Sequence, residues 1–471
     1  MILLNRRAGD FIMETKNFTE GPIFKPLIRF ILPLLLTNLL QALFSAGNIA
    51  VIGHFGTTAD IAAVNTGSDW METVRFLLVA SSQSVLVLLG QKIGGKNDKD
   101  AGIVFGSGIG LYTILGLLLG LLLFLPARSL TKLLNTPPES FDLTVRYIRI
   151  SATGMVFVAV FNVFSNVFRA IGDSRTPMWI GFGTFSANFL ADCVLVGKFR
   201  MGSQGAALTD VTAQFLSVIF CVIALRRRGL PFRFSMDMLL PDRSVSAELV
   251  RIGTPLALQD FLVSMSYLVI SNIINGLGVA AAAGYGVATR LNYFPLYLLD
   301  ALSQTVSTFT AQNIGGRKPD RAKQSLFYGI VIGLIISIPL GLVFYFKTDV
   351  FLQLFTGNKA DVIRYGTEAL RAFSLETLYL PILFCFIGFF TGMGHTRFIL
   401  MEGIFGSMLI QVPFAWLMSR QLPVSMFRIC LASLMSSLTK ILVNIVYFCY
   451  LQRYPEKMAP IESTQRSAIR E

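Results

Sequence analysis

Along the chain, long apolar runs alternate with short segments rich in charge, glycine and proline. Each run is about 20 to 25 residues long, the length a helix needs to cross a hydrocarbon core at about 1.5 Å per residue. Twelve can be delimited, over residues 27–53, 62–88, 103–125, 147–168, 177–197, 205–225, 253–275, 292–311, 326–346, 370–391, 398–419 and 427–450. Runs such as ILGLLLGLLLFLP carry Gly and almost no charge. In lipid every backbone group must be satisfied within its own segment, so each run is predicted to be a transmembrane helix. The pattern predicts an all-α polytopic membrane protein of twelve transmembrane helices.

Composition agrees. A soluble chain is about 25% charged, whereas this one is 14% charged and 54% hydrophobic, with 40 Phe. Orientation follows from Lys and Arg in the connections. With the N-terminus inside, the inner segments carry 25 of the 40 basic residues and the outer loops 13. Both termini are thus expected in the cytoplasm, with the chain multi-pass in the cytoplasmic (inner) membrane. The net charge of +13 is explained by scattered loop residues such as Arg226-Arg227-Arg228 facing anionic lipid. It does not call for a nucleic-acid partner. The N-terminal segment does not read as a cleavable signal, because the first apolar block is span-length. Met13 offers an alternative start to Met1.

Cys193, Cys221, Cys385, Cys430 and Cys449 lie in or beside apolar blocks without metal-ligand spacing, so neither a disulfide nor a metal site is expected. His54 and His395 are the only histidines and stand at the ends of distant spans. They read as loop-end residues and offer no metal or catalytic pairing. The expectation is of no cofactor and no enzyme.

The chain also repeats itself. GQKIGGKNDKDA, from Gly90, matches AQNIGGRKPDRA, from Ala311, at five of twelve positions. FRAIGDSR, from Phe168, is echoed by FTGMGHTR, from Phe390. The spacing is kept too: Gln91 to Gly172 is 81 residues and Gln312 to Gly394 is 82. Six spans per half is an even number, so both halves enter the membrane in the same direction, a parallel repeat. The expected organisation is an N-terminal cytoplasmic segment (1–25), a six-helix lobe (26–225), a cytoplasmic linker (226–250), a second six-helix lobe (251–451) and a cytoplasmic tail (452–471). Two such lobes are a transporter architecture, in which rocking alternates access to a midplane site.

Several motifs carry a family resemblance: FKPLIRFILPLLLTNLLQ, VIGHFGTTADIAAV, LGQKIGGKNDKDA, FRAIGDSRTPM, the NFLAD turn, QGAALTD and AQNIGGRKPDRA. In order and spacing they resemble the multidrug and toxic compound extrusion (MATE) transporters, in the bacterial branch of DinF-like and MepA-like proteins. The resemblance runs from about Phe24 to about Tyr450. It implies outward export of organic, often cationic, small molecules coupled to inward H⁺ or Na⁺ flow, with no cofactor beyond the coupling ion.

The resemblance further implies a cation-responsive cluster in the N-terminal lobe, drawn from spans one, four, five and six. Asn188 and Asp192 match its fifth-span pair and, at i and i+4, share a helix face. A charged Asp costs about 2.5 to 3.5 kcal/mol at a span centre, so a proton is readily bound there. The alternative is an Asp that caps a neighbouring helix or bonds Asn188. Two departures stand out. In the first span the family's acidic position, five residues before Gly53, is Asn48, and at the sixth span GAAxAT becomes GAALTD, placing Thr209 and Asp210 there. The cluster is expected to hold two carboxylates, Asp192 and Asp210, with Asn48 as a neutral amide; if close, they titrate as a pair. Alternatively, Asp210 is wet at the outer end of its span. Asn162 and Asn166 of span four are candidates to complete the cluster, or helix–helix glue.

Acidic residues that could line a substrate cleft are Asp69 and Glu72 (beside Arg75) in span two, which could equally form an interfacial salt bridge, and Asp260, Asp300 and Glu376 in spans seven, eight and ten. Asp260 and Glu376 do not fall on the Na⁺-linked positions of another branch, which favours a proton. Phe157, Phe161 and Met265 are candidates for a greasy, cation-accepting wall. The main alternative in function is a flippase for lipid-linked oligosaccharide, for which cationic cavities are expected. An intramembrane enzyme lacks a nucleophile-base pair, and a channel lacks a filter-like motif. Expected partners are organic small molecules and membrane lipids, with the chain acting as a monomer.

Overall fold

The computed structural model describes residues 18–356 and 359–461. The start at Met13 and positions 462–471 of the expected tail lie outside the described residues. Among the described residues the fold is helical with no strand.

The helices are α1 (Phe24–Phe55), α2 (Thr58–Gly94), α3 (Asp98–Phe124), α4 (Ala127–Leu133), α5 (Pro138–Thr153), α6 (Met155–Ala170), α7 (Arg175–Asp192), α8 (Gly202–Arg228), α9 (Arg243–Asn275), α10 (Val279–Gly315), α11 (Pro319–Phe346), α12 (Thr348–Thr356), α13 (Ala360–Thr377), α14 (Leu380–Met393), α15 (Thr396–Gly403), α16 (Val412–Ser419) and α17 (Met426–Arg453). Two π-helical runs interrupt the pattern, Cys193–Lys198 after α7 and Ile404–Gln411 between α15 and α16.

Nine elements among the described residues are each long and apolar enough to cross a membrane. Two more spans are bent pairs, α5 with α6 at 41° and α13 with α14 at 54°. The first bend falls at Gly154, where an added Cβ would lie 2.8 Å from Val211 Cγ2. The second lies just before Pro381, which lacks the N–H that a continuous helix would use there. The twelfth span is α10, 37 residues long and more polar, with Arg290 and Asp300 within it. The short helices α4 and α12 follow α3 and α11 outside the apolar blocks read from sequence.

The chain forms two compact units. One comprises Leu32–Gly253, and the other comprises Thr19–Ile31 with the chain from Thr254 onward. In the first, α2 packs on α5 and α6, and α3 on α6. In the second, α10 packs on α13 and α14, and α11 on the same pair. The repeated loops share backbone geometry: Lys96 and Arg317 both have φ 55°, and Gly172 and Gly394 have φ 86° and 81°. A close helix contact in the second unit uses Gly388 and Gly392 of α14, whose added Cβ atoms would lie 2.2 Å from Ser303 O and 2.4 Å from Ser307 O of α10. This small-xxx-small spacing lets the two backbones meet.

Candidate functional site

The end of α7 carries buried polar side chains. Asn188 and Asp192 are 6% and 2% exposed, one turn apart, and Thr209 of α8 is 1% exposed. The α-helical ladder ends at Asp192 and the wider π turns begin at Cys193, a distortion that recurs at functional positions. Asp192 Oδ1 accepts a hydrogen bond from Thr209 Oγ1. The same hydroxyl lies 2.8 Å from Ala206 O, and its one proton serves one of these acceptors at a time.

Asn188 turns away from its helix neighbour. Its Nδ2 donates to Asp210 Oδ1 at 2.9 Å, and its Oδ1 accepts from Asn48 Nδ2 at 3.1 Å. The orientation of the Asn48 amide that suits its surroundings better has Nδ2 donating to Asp192 Oδ2 at 3.1 Å and to Phe44 O at 3.3 Å. Helices α1, α7 and α8 thus supply an unbroken sequence: Asp192, Asn48, Asn188, Asp210.

Beyond Asp210 the network continues into α2 and α5. Arg75 lies within electrostatic reach of Asp210 and Tyr147, and its Nη1 is 3.3 Å from Glu72 Oε1. The Tyr147 hydroxyl is 3.3 Å from Ser68 Oγ, and its ring fills space that only a glycine at position 67 leaves open. Glu72, expected at a substrate cleft, is therefore tied through Arg75 to the Asp210 end of the cluster.

Other expected residues stand apart. Asn162 donates to Val158 O of its own helix at 2.8 Å. Asn166 donates to Ser82 Oγ at 2.9 Å, tying α6 to α2. Asp69 is exposed on α2. In the second unit, Asp260 is exposed on α9 within electrostatic reach of Asp300, which accepts from Gln304 Nε2 at 2.7 Å. Glu376 is only 7% exposed and accepts from Ser433 Oγ.

Sequence reading passed over Glu402 of α15 and gave Lys440 of α17 no role. Both are buried, at 2% and 8% exposure. Charged residues inside spans eleven and twelve were the available signal.

A family model described as MatE matches residues 33–194 and 255–417. The chain is 26% identical over 350 residues to a Bacillus subtilis protein described as "Probable multidrug resistance protein YoeA", covering 73% of this chain and 76% of that one. It is 25% identical over 391 residues to "Multidrug export protein MepA" of Staphylococcus aureus strain NCTC 8325, covering 81% and 84%. A solved structure described as the outward-facing conformation of a multidrug resistance MATE family transporter of the MOP superfamily superposes with a TM-score of 0.85 at 18% identity, covering 95% of this chain and 99% of that one.

Proposed function

Because the chain belongs to the MatE family of membrane transporters, we propose that it is a secondary active antiporter of the cytoplasmic membrane. It exports organic, cationic and amphipathic compounds such as drugs, in exchange for protons, by alternating access. Both termini lie in the cytoplasm, and the Asp192–Asn48–Asn188–Asp210 cluster takes up and releases the driving ion. Multidrug export in the relatives' descriptions and acidic candidates for the cargo path support this cargo class over a lipid-linked sugar.

The observation that carries the choice of proton is the order of the four side chains. An amide has one donor end and one acceptor end. When Asn188 donates to Asp210, its oxygen meets the Asn48 amino group at 3.1 Å. In that pairing the Asn48 oxygen would face both Asp192 Oδ2, which is attractive only if Asp192 carries a proton, and Phe44 O, which the proton leaves unsatisfied. When the Asn48 amide reverses, it satisfies an ionised Asp192, and the demand for a proton passes through Asn188 to Asp210. The two carboxylates share one proton through two amides. Arg75 offers Asp210 a counter-charge that it shares with Glu72.

The test is efflux of a fluorescent organic cation from proteoliposomes under an imposed proton gradient without sodium. Efflux by the parent and its loss in folded Asp192→Asn support the proposal. Efflux driven by a sodium gradient, or unaffected by Asp192→Asn, refutes the assignment.

A further inference from the structure

The second unit buries charge that the proposed coupling cluster does not use. Lys440, Glu402 and Glu376 are 8%, 2% and 7% exposed, and Lys440 lies within electrostatic reach of both acids. Its position is built. Nζ donates to Ser407 Oγ at 2.9 Å, and its methylene stem runs over Gly406, where an added Cβ would lie 2.3 Å from Lys440 Cε. Both Gly406 and Ser407 sit in the π-helical run that starts one residue after Gly403.

The two acids are held differently. Glu376 Oε2 accepts from Ser433 Oγ. Glu402 Oε1 accepts from Asn444 Nδ2 at 3.3 Å, while its Oε2 is buried and has no hydrogen-bond partner. The neighbouring helix α9 adds no further charge at these points: Gln259 lies against Gly403, and Tyr267 faces Glu376. Two carboxylates and one ammonium leave the cluster one negative charge in excess, inside a membrane-embedded unit where a net charge is strongly disfavoured. The excess is removed by one positive charge, and the unpartnered Oε2 is where it is missing. A metal cation would be repelled by the tethered ammonium, and among the described residues no group of three or more His, Cys, Asp or Glu is placed to hold one. A proton becomes part of the carboxyl.

We infer that Glu402 is a second proton-exchange site, in the C-terminal unit, with Lys440 as its built-in counter-ion. The exchange balances as loss of H⁺ from Glu402 Oε2 to water, leaving the carboxylate, and its reversal; the cluster alternates between neutral and singly negative. The site stands independently of Asp192 and of the cargo.

The test is infrared difference spectroscopy of the purified full-length protein, titrated from neutral to alkaline pH. The expected result is a buried protonated-carboxyl band at neutral pH that disappears on alkalinisation, is missing in Glu402→Gln and persists in Asp192→Asn. Glu402→Gln keeps the shape of the side chain and its Asn444 contact, so it is expected to fold. In Lys440→Met the band persists to higher pH, because the counter-charge is gone; a lysine that only filled space would leave the titration unmoved. The same band in Glu402→Gln as in the parent, or an unmoved titration in Lys440→Met, overturns the inference. Because the readout is proton binding, failure here and failure of proton-driven efflux are separable.

Discussion

Asn188 is the link on which proton sharing in the N-terminal unit depends, and Asn188→Leu is the perturbation that isolates it. Asn188 bonds Asp210 at 2.9 Å and Asn48 at 3.1 Å. With both carboxylates ionised, one amide contact must set acceptor against acceptor, and a buried acceptor left without its donor costs about 1 to 3 kcal/mol. A tenfold ratio corresponds to about 1.4 kcal/mol, so the two carboxylates should bind protons in steps separated by about one to two pH units through the amides alone. Leucine fills a similar volume and transmits no such preference. The separation should then collapse to what direct charge repulsion between Asp192 and Asp210 provides. The assay is infrared titration of the protonated-carboxyl bands that Asp192→Asn and Asp210→Asn remove, in the parent and in Asn188→Leu. A double-mutant cycle between the two aspartates, with and without Asn188, reads the same coupling as a stability difference. Unchanged step separation in Asn188→Leu would refute the amide relay, whatever its effect on transport.

Other substitutions test the framework that holds the cluster. Gly67→Ala places a Cβ 2.4 Å from Cδ1 of the buried Tyr147, so overpacking should lower stability by about 1 to 3 kcal/mol, read as a fall in melting temperature in detergent. Thr57 caps α2 in a reciprocal box, Thr57 Oγ1 accepting from Asp60 N at 3.2 Å and Asp60 Oδ2 from Thr57 N at 3.1 Å. Thr57→Ala should cost about 1 kcal/mol, and Asp60→Ala more, because Asp60 Oδ1 also accepts from Ser203 N at 2.9 Å. At the turn between α14 and α15, burial holds His395 below the ordinary histidine range, with Nδ1 3.0 Å from the Tyr447 hydroxyl. The neutral imidazole belongs to the folded state, so its contribution is complete above about pH 6.5, the unfolded value, and is lost as pH falls towards the folded value. Stability measured against pH should be flatter below that point in His395→Gln.

Hydrophobic patterning along the chain is enough to identify the solvent and the architecture. Runs long enough to cross a bilayer admit only helices that satisfy their own backbone, so the apolar blocks mark the spans. The duplicated IGG loops predict a repeat, and their matched left-handed residues, Lys96 and Arg317, show the same turn built twice. The sequence also placed Asn188 and Asp192 on one helix face and put Thr209 beside Asp210, because those relations lie within a helix. Tertiary structure decided everything that crosses between helices. Spacing cannot say that Asn188 turns to Asp210 and leaves Asp192 to Thr209, or that Asn166 spends its amide on Ser82. Nor can it say that Arg75 reaches Asp210 while holding Glu72. The bends at Gly154 and before Pro381, and the π turns after Asp192 and Gly403, rotate whole faces relative to an ideal helix. Periodicity fixes which residues share a face, but the partner of a polar side chain depends on packing between segments far apart in the chain. That buried Glu402 and Lys440 lie within electrostatic reach of one another was invisible for that reason: each reads alone as a misplaced charge, and only the packing of their two helices makes them one cluster.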